Sequence, residues 1–229
     1  MSRREELATN LAAVEERIAA ACRAAGRSRS DVTLIAVTKN WPIADCELLR
    51  ELGLTDLGEN RDQEAAGKSA AVGGVRWHFV GALQSNKARR VATYADCVHS
   101  VDRPGLVTAL GEGAVRAGRR LDVLVQVSLD GDPLRSGAPV SAVPALADQV
   151  VGTAGLRLAG VMAVAPLGAD PAEAFARLAV AAAALRAAHP DATMISAGMT
   201  GDLEQAVTAG ATHLRVGTAV LGHRSTPLR

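Results

Sequence analysis

Two hydrophobic periods alternate along the chain. Residues 3–25 carry apolar side chains at Leu7, Leu11, Val14, Ile18 and Ala21, a spacing of three and four that predicts an amphipathic helix. After the polar stretch "GRSRSD" comes the apolar run "VTLIAVT", which reads as a buried strand. The same alternation then repeats. The predicted strands are 32–38, 56–60, 75–81, 96–102, 121–129, 156–166, 192–198 and 212–220. Between them lie helical patterns at 43–52, 61–71, 86–94, 104–118, 140–151, 171–188 and 201–209. Pro104 suits a first helical turn, where its missing N–H costs nothing.

Strands that alternate with helices through short connections call for a parallel sheet covered by helices. Eight such units in one stretch predict an α/β fold: a single (β/α)8 TIM barrel spanning residues 1–229, with one extra N-terminal helix. A doubly wound open sheet is the competing architecture, but the G-x-G-x-x-G turn it often carries is absent.

Composition narrows the partners. The chain has 229 residues, 48% hydrophobic but only 2% aromatic, so aliphatic packing must build its core. A net charge of +1 offers no electrostatic footprint for nucleic acid or an anionic membrane. Arg3 and Arg4 are followed by Glu5 and Glu6 rather than an apolar region, and the apolar run "LAVAAAAL" is too short to span a bilayer. A cytoplasmic protein is the expectation. Cys22, Cys46 and Cys97 are widely separated, and His78, His99, His189, His213 and His223 form no H-x-H or H-E-x-x-H pattern. Inert thiols and structural histidines are expected, with no metal site. The "GKS" at 67–69 resembles the tail of a phosphate-binding loop, but Asp62 stands where glycine is needed, so it reads as a helical surface segment.

In such a barrel, ligand chemistry gathers at the C-terminal strand ends, with phosphate commonly held after strands 7 and 8. Lys39 ends the first strand, and Asn60 ends the second within "GEN". "SAGMTGD" (196–202) follows the seventh, and "RVGT" (215–218) closes the eighth. Gly198, Gly201 and Gly217 admit close approach of backbone N–H groups to an anion, while Ser196, Thr200 and Thr218 add hydroxyls. Ordinary capping turns would look the same one at a time; two of them at the expected strand ends point to a phosphorylated ligand. Lys39 shares the alternation of Ile35 and Val37. At an apolar rim its amine would be partly desolvated and nucleophilic, whereas a solvated surface lysine is the plain alternative. An amine facing a phosphate cradle fits two ligand classes, pyridoxal phosphate (PLP) and an aldolase-type sugar phosphate. Arg215, placed before the Gly217–Thr218 turn, either faces a ligand ring as a permanent donor or serves as an ion-pair partner inside the barrel.

The segments "LIAVTKN", "LGEN", "WHFVGALQSNK", "HSVD" and "SAGMTGDLEQAVTAGATHLRVGTAVLG" resemble, in this order, the pyridoxal phosphate homeostasis proteins, the YggS/PROSC family, over about residues 5 to 224. The resemblance implies an alanine-racemase-like barrel that binds PLP, with Lys39 as the Schiff-base residue. It also implies phosphate contacts from Ser196, Gly217 and Thr218, a ring-nitrogen contact from Arg215 and a pocket position for Asn60. Met199 and Thr200, in the same loop as Ser196, complete the expected cofactor-binding set. Departures are Ala82 where the family has histidine, Asn40 in "TKN", "SAGMT" for "SMGMS", and arginine for lysine in "LRSG" (134–137). Racemase-type enzymes draw a second acid/base residue from an added β-domain, for which this chain leaves no room; its only tyrosine is Tyr94. The resemblance therefore implies a monomeric protein that is not an enzyme and buffers or delivers PLP. Transfer would go to amino acids by transimination or to PLP-requiring apoenzymes. A PLP enzyme such as a racemase and a class I aldolase are the alternatives.

Overall fold

The computed structural model describes residues 1–132 and 135–222; Leu134, His223 and the end of the expected 1–229 unit lie outside the described residues. Eight strands run β1 (Thr33–Val37), β2 (Asp56–Glu59), β3 (Arg76–Phe79), β4 (Cys97–Val101), β5 (Leu121–Gln126), β6 (Leu156–Met162), β7 (Met194–Ser196) and β8 (His213–Val216). They form a closed barrel in sequence order. All neighbours are parallel, and β1 closes on β8 with Ile35 beside Arg215 and Ala36 beside Val216. The helices are α1 (Arg3–Ala24), α2 (Ile43–Glu51), α3 (Asp62–Ala71), α4 (Ser85–Val91), α5 (Pro104–Arg116), α6 (Val143–Val151), α7 (Pro171–Ala188), α8 (Leu203–Thr208) and α9 (Thr218–Leu221). Among the described residues no helix is long and apolar enough to cross a membrane.

Strand alternation sorts the side chains into two cores. Trp77, Phe79, Val98, Val123, Val125, Leu214 and Val216 point outward and pack beneath the helices. Cys97, Leu124, Ala159 and Met162 form a separate, smaller cluster. Helix α7 shows how the outer layer is built: Ala174, Phe175, Leu178, Ala181, Ala182 and Leu185 make one buried stripe with helical spacing.

The chain after β8 departs from the sequence expectation. Residues 217–220 were expected as strand, yet pairing with β1 ends at Val216. Without a neighbour to pair with, the chain turns at Gly217, whose carbonyl accepts from Val220 and Leu221 N–H at 3.0 and 2.9 Å, and α9 begins. The leading helix α1 braces this end of the barrel. Its start is held by a reciprocal Ser2–Glu5 capping box. Asn10 then donates to the Val220 carbonyl at 3.1 Å, Arg3 to the Leu221 carbonyl at 3.0 Å, and Arg17 to the Thr200 carbonyl at 2.9 Å.

Gly160 in β6 is required where the β5–β6 register shifts. Its φ is 152°, and a Cβ there would meet the Met194 carbonyl oxygen at 1.9 Å. Gly160→Ala is expected to cost on the order of 3 kcal/mol, read as a lower midpoint in urea denaturation. A variant as stable as the parent would show that β7 can shift away freely.

Candidate functional site

Polar side chains from five strands form one connected path in the lumen. His78 of β3 faces Asp56 of β2, with Nε2 and Oδ1 2.8 Å apart. His78 Nδ1 lies 2.9 Å from His99 Nε2 on β4, and His99 Nδ1 lies 2.8 Å from the Ser196 hydroxyl on β7. Strands β4 and β7 are not neighbours, so this last contact crosses the barrel. Arg215 of β8 donates to the Ser196 hydroxyl at 2.7 Å and to the Ala163 carbonyl at 2.9 Å. His78, His99, Ser196 and Arg215 are all buried. Burial, then the neighbouring His78, Arg215 and His213, holds the His99 imidazole well below its ordinary range. Burial also pulls Arg215 down to about 10, which leaves it charged at neutral pH. Asp56 is pushed up by burial, but hydrogen bonds from His78 and Thr55 outweigh this and keep its carboxyl below the usual value.

Above this chain, at the C-terminal end of the strands, opens a cavity of about 410 Å³. Lys39, Asn60, Met199, Thr200, Arg215, Gly217 and Thr218 line it, with Val37, Val80, Val164 and Gly201. Seven of the eight residues expected at the cofactor are thus brought together. Ser196 is the exception. It is fully buried outside the cavity lining, and its hydroxyl is engaged by Arg215 and His99 rather than presented to a ligand. Thr200 stands nearer the mouth, where its hydroxyl accepts from Ala219 N–H at 3.3 Å and ties the two cradle loops together. The expected desolvation of Lys39 is also not seen: its side chain is exposed on the cavity rim.

Local backbone chemistry sets the Lys39 turn. Trp41 N–H donates to the Thr38 carbonyl at 3.0 Å, and Asn40 has φ +64°, the only positive value outside glycine among the described residues. This is a turn in which asparagine is at ease and a β-branched residue would be strained, which gives Asn40 a physical reason. Asn60 is approached by the loop after β3; a Cβ on Gly81 would lie 2.4 Å from the Asn60 carbonyl oxygen. Ala82 is exposed and does not line the cavity.

The lysine of "GKS" overturns its reading as a surface residue. Lys68 is buried on α3 and donates to Glu59 Oε1 at 2.5 Å and to the Thr38 carbonyl at 2.7 Å, thereby anchoring the peptide that leads into Lys39. Thr38 Oγ1 donates to the same Glu59 oxygen at 2.6 Å. Of the chain's three lysines, Lys39 is the one on the cavity; Lys68 is paired and Lys87 lies exposed on α4.

His78, Cys97 and His99 offer three ligand atoms within 4.8 Å of one another, a grouping that sequence spacing did not show because it spans two strands. The two histidines hydrogen-bond each other, however, and complete burial pushes the Cys97 thiol far up, away from its metal-binding form. Polar residues inside otherwise apolar strand runs, His78 in "WHF" and His99 in "CVHSV", were the available signal for the lumen.

The alanine racemase N-terminal domain family matches residues 9–225. The pyridoxal phosphate homeostasis protein of Mycobacterium tuberculosis H37Rv is 45% identical, covering 97% of this chain and 94% of its own. PipY of Synechococcus elongatus, solved with PLP bound, is 35% identical with a TM-score of 0.82, covering 94% of this chain and all of that one. The alanine racemase of Corynebacterium glutamicum shares the fold at 14% identity and a TM-score of 0.70, covering 95% of this chain and 60% of the enzyme.

Lys68→Met leaves Glu59 buried without its partner, and a loss of about 3–5 kcal/mol at neutral pH is expected. Burial already raises the Glu59 carboxyl in the folded protein, and without Lys68 it rises further. The folded variant then holds a proton that the unfolded chain releases, so its stability falls as pH rises through the raised value. Denaturation of variant and parent from pH 5 to 8 checks this; a pH-independent difference would contradict it.

Proposed function

The chain belongs to the pyridoxal phosphate homeostasis proteins, and on that premise we propose that its barrel mouth binds PLP on Lys39 and holds it for delivery rather than for catalysis. The observation that carries this reading is one cavity lined by an exposed primary amine, a buried guanidinium, and the Thr200–Gly201 and Gly217–Thr218 loops. These groups match an aldehyde, an aromatic ring nitrogen and a phosphate respectively. When bound, PLP would supply an electrophilic aldehyde carbon, and Lys39 would be the residue whose amine holds it.

The remaining residues have binding and orienting roles. Thr200, Gly217 and Thr218 would receive the phosphate, and Arg215 the ring nitrogen. An arginine donates and does not give up its proton readily, so it keeps that nitrogen unprotonated and weakens the ring as an electron sink. Ser196 would act behind Arg215 instead of on the phosphate.

The absence of reaction is part of the proposal. Racemisation requires proton-transfer groups on both faces of the ligand. Among the described residues the only titratable side chains lining the cavity are Lys39 and Arg215. Tyr94 is engaged elsewhere, with its hydroxyl 3.1 Å from Asp62 Oδ1 and its proton held more tightly than usual by burial and that carboxylate. An exposed Lys39 also favours exchange, since an incoming amine from an amino acid or a PLP-requiring apoenzyme can reach it. We extend the reading to a monomer in the cytoplasm.

Lys39→Ala tests it. The variant is expected to lose the visible absorption of the loaded protein and at least about tenfold in PLP affinity, about 1.4 kcal/mol. Unchanged colour and affinity would remove Lys39 from the account. Amino-acid racemisation at enzyme-like turnover by the parent protein would overturn the carrier role.

A further inference from the structure

Each polar group in the lumen has a fixed number of protons to give, and this determines the direction of every bond. Arg215 can only donate, so the Ser196 oxygen accepts from it. An ionised Asp56 can only accept, so His78 carries a proton on Nε2. The buried Ser196 hydroxyl then needs an acceptor for its own proton and finds it in His99 Nδ1, so His99 carries its proton on Nε2 and donates it to His78 Nδ1. Every donor and acceptor along the path is then used once. The reverse direction makes the Ser196 oxygen accept twice and leaves its proton without an acceptor on the chain, a costly state for a buried hydroxyl.

We propose that Asp56, His78, His99 and Ser196 are positioning residues, a one-way hydrogen-bond chain that holds Arg215 against the ring of the bound cofactor. The inference rests on the reading of the cavity as a PLP site. Its geometry is that Ser196 and the Ala163 carbonyl engage two of the five guanidinium donors, and the plane of the group is set by those two bonds. Arg215 is also part of the cavity lining. Arg215 extends from the strand next to β1, so without this tether its planar head would be free to rotate away from the ring. The tether runs from Asp56 on β2 through β3 and β4 and crosses the lumen to Ser196 on β7, so the position of the ring-nitrogen donor depends on strands on both sides of the barrel.

Two measurements test the chain. In the unliganded protein, long-range ¹H–¹⁵N correlation of labelled histidines is expected to show His78 and His99 both neutral at neutral pH, each with its proton on Nε2. A proton on His99 Nδ1, or a doubly protonated His78, would overturn the stated direction. In the loaded protein, Ser196→Ala and His99→Leu are expected to move the ¹⁵N resonance of the labelled pyridine nitrogen and weaken PLP binding by about tenfold, while borohydride still fixes PLP to Lys39. Folded variants with unchanged resonance and affinity would overturn the positioning role. His99→Gln, which can accept from Ser196 and donate to His78, is expected to restore both; a loss equal to that of His99→Leu would contradict it. Should the parent protein take up no PLP, the functional reading fails, whereas the tautomer measurement still decides the chain.

Discussion

Four residue pairs between β1 and β8, from Thr33 with His213 to Ala36 with Val216, close the barrel, and the whole mouth depends on that seam. Lys39 follows β1 by two residues, and Gly217 and Thr218 follow β8 directly. Parallel pairing brings both strand ends to the same rim, so residues almost 180 positions apart line one cavity. Helix α1 reinforces the seam from outside by fastening the last turn and the Thr200 loop.

Two buried polar systems support the rim in different ways. The lumen chain spans the barrel with a cation at one end and a carboxylate at the other, and neutral groups between them are each satisfied. Such a network is stable when complete and costly when cut, which ties its members to one arrangement. The Lys68–Glu59–Thr38 cluster is local. It pairs a buried carboxylate with a cation and uses a second lysine donor to fix the carbonyl just before Lys39. One system aims the guanidinium and the other sets the turn that carries the amine.

The barrel was legible from the chain because hydrophobic period and strand order are local signals that add up over eight repeats. The rim was legible for the same reason: a residue at the end of a strand such as Lys39 or Asn60 is placed by the fold alone. What stayed hidden required pairing across the lumen. As the end of β7, Ser196 reads as a phosphate ligand, but alternation turns its hydroxyl inward, where Arg215 and His99 engage it. Lys68 was read as surface because charged helical residues usually are, and its partner Glu59 lies on another element. The His78–His99 contact joins two strands whose register no spacing rule predicts. Residues 217–220 read as strand in the sequence, yet an apolar stretch suits a short helix as readily, and pairing with β1, which ends at Val216, decides.

The central claim is that one of three lysines carries PLP. Borohydride reduction of the PLP-loaded protein followed by mass spectrometry of its peptides tests it directly. A stable phosphopyridoxyl adduct is expected on Lys39 and none on Lys68 or Lys87. An adduct on either of those two lysines, or none at all on a protein that remains yellow, would contradict it.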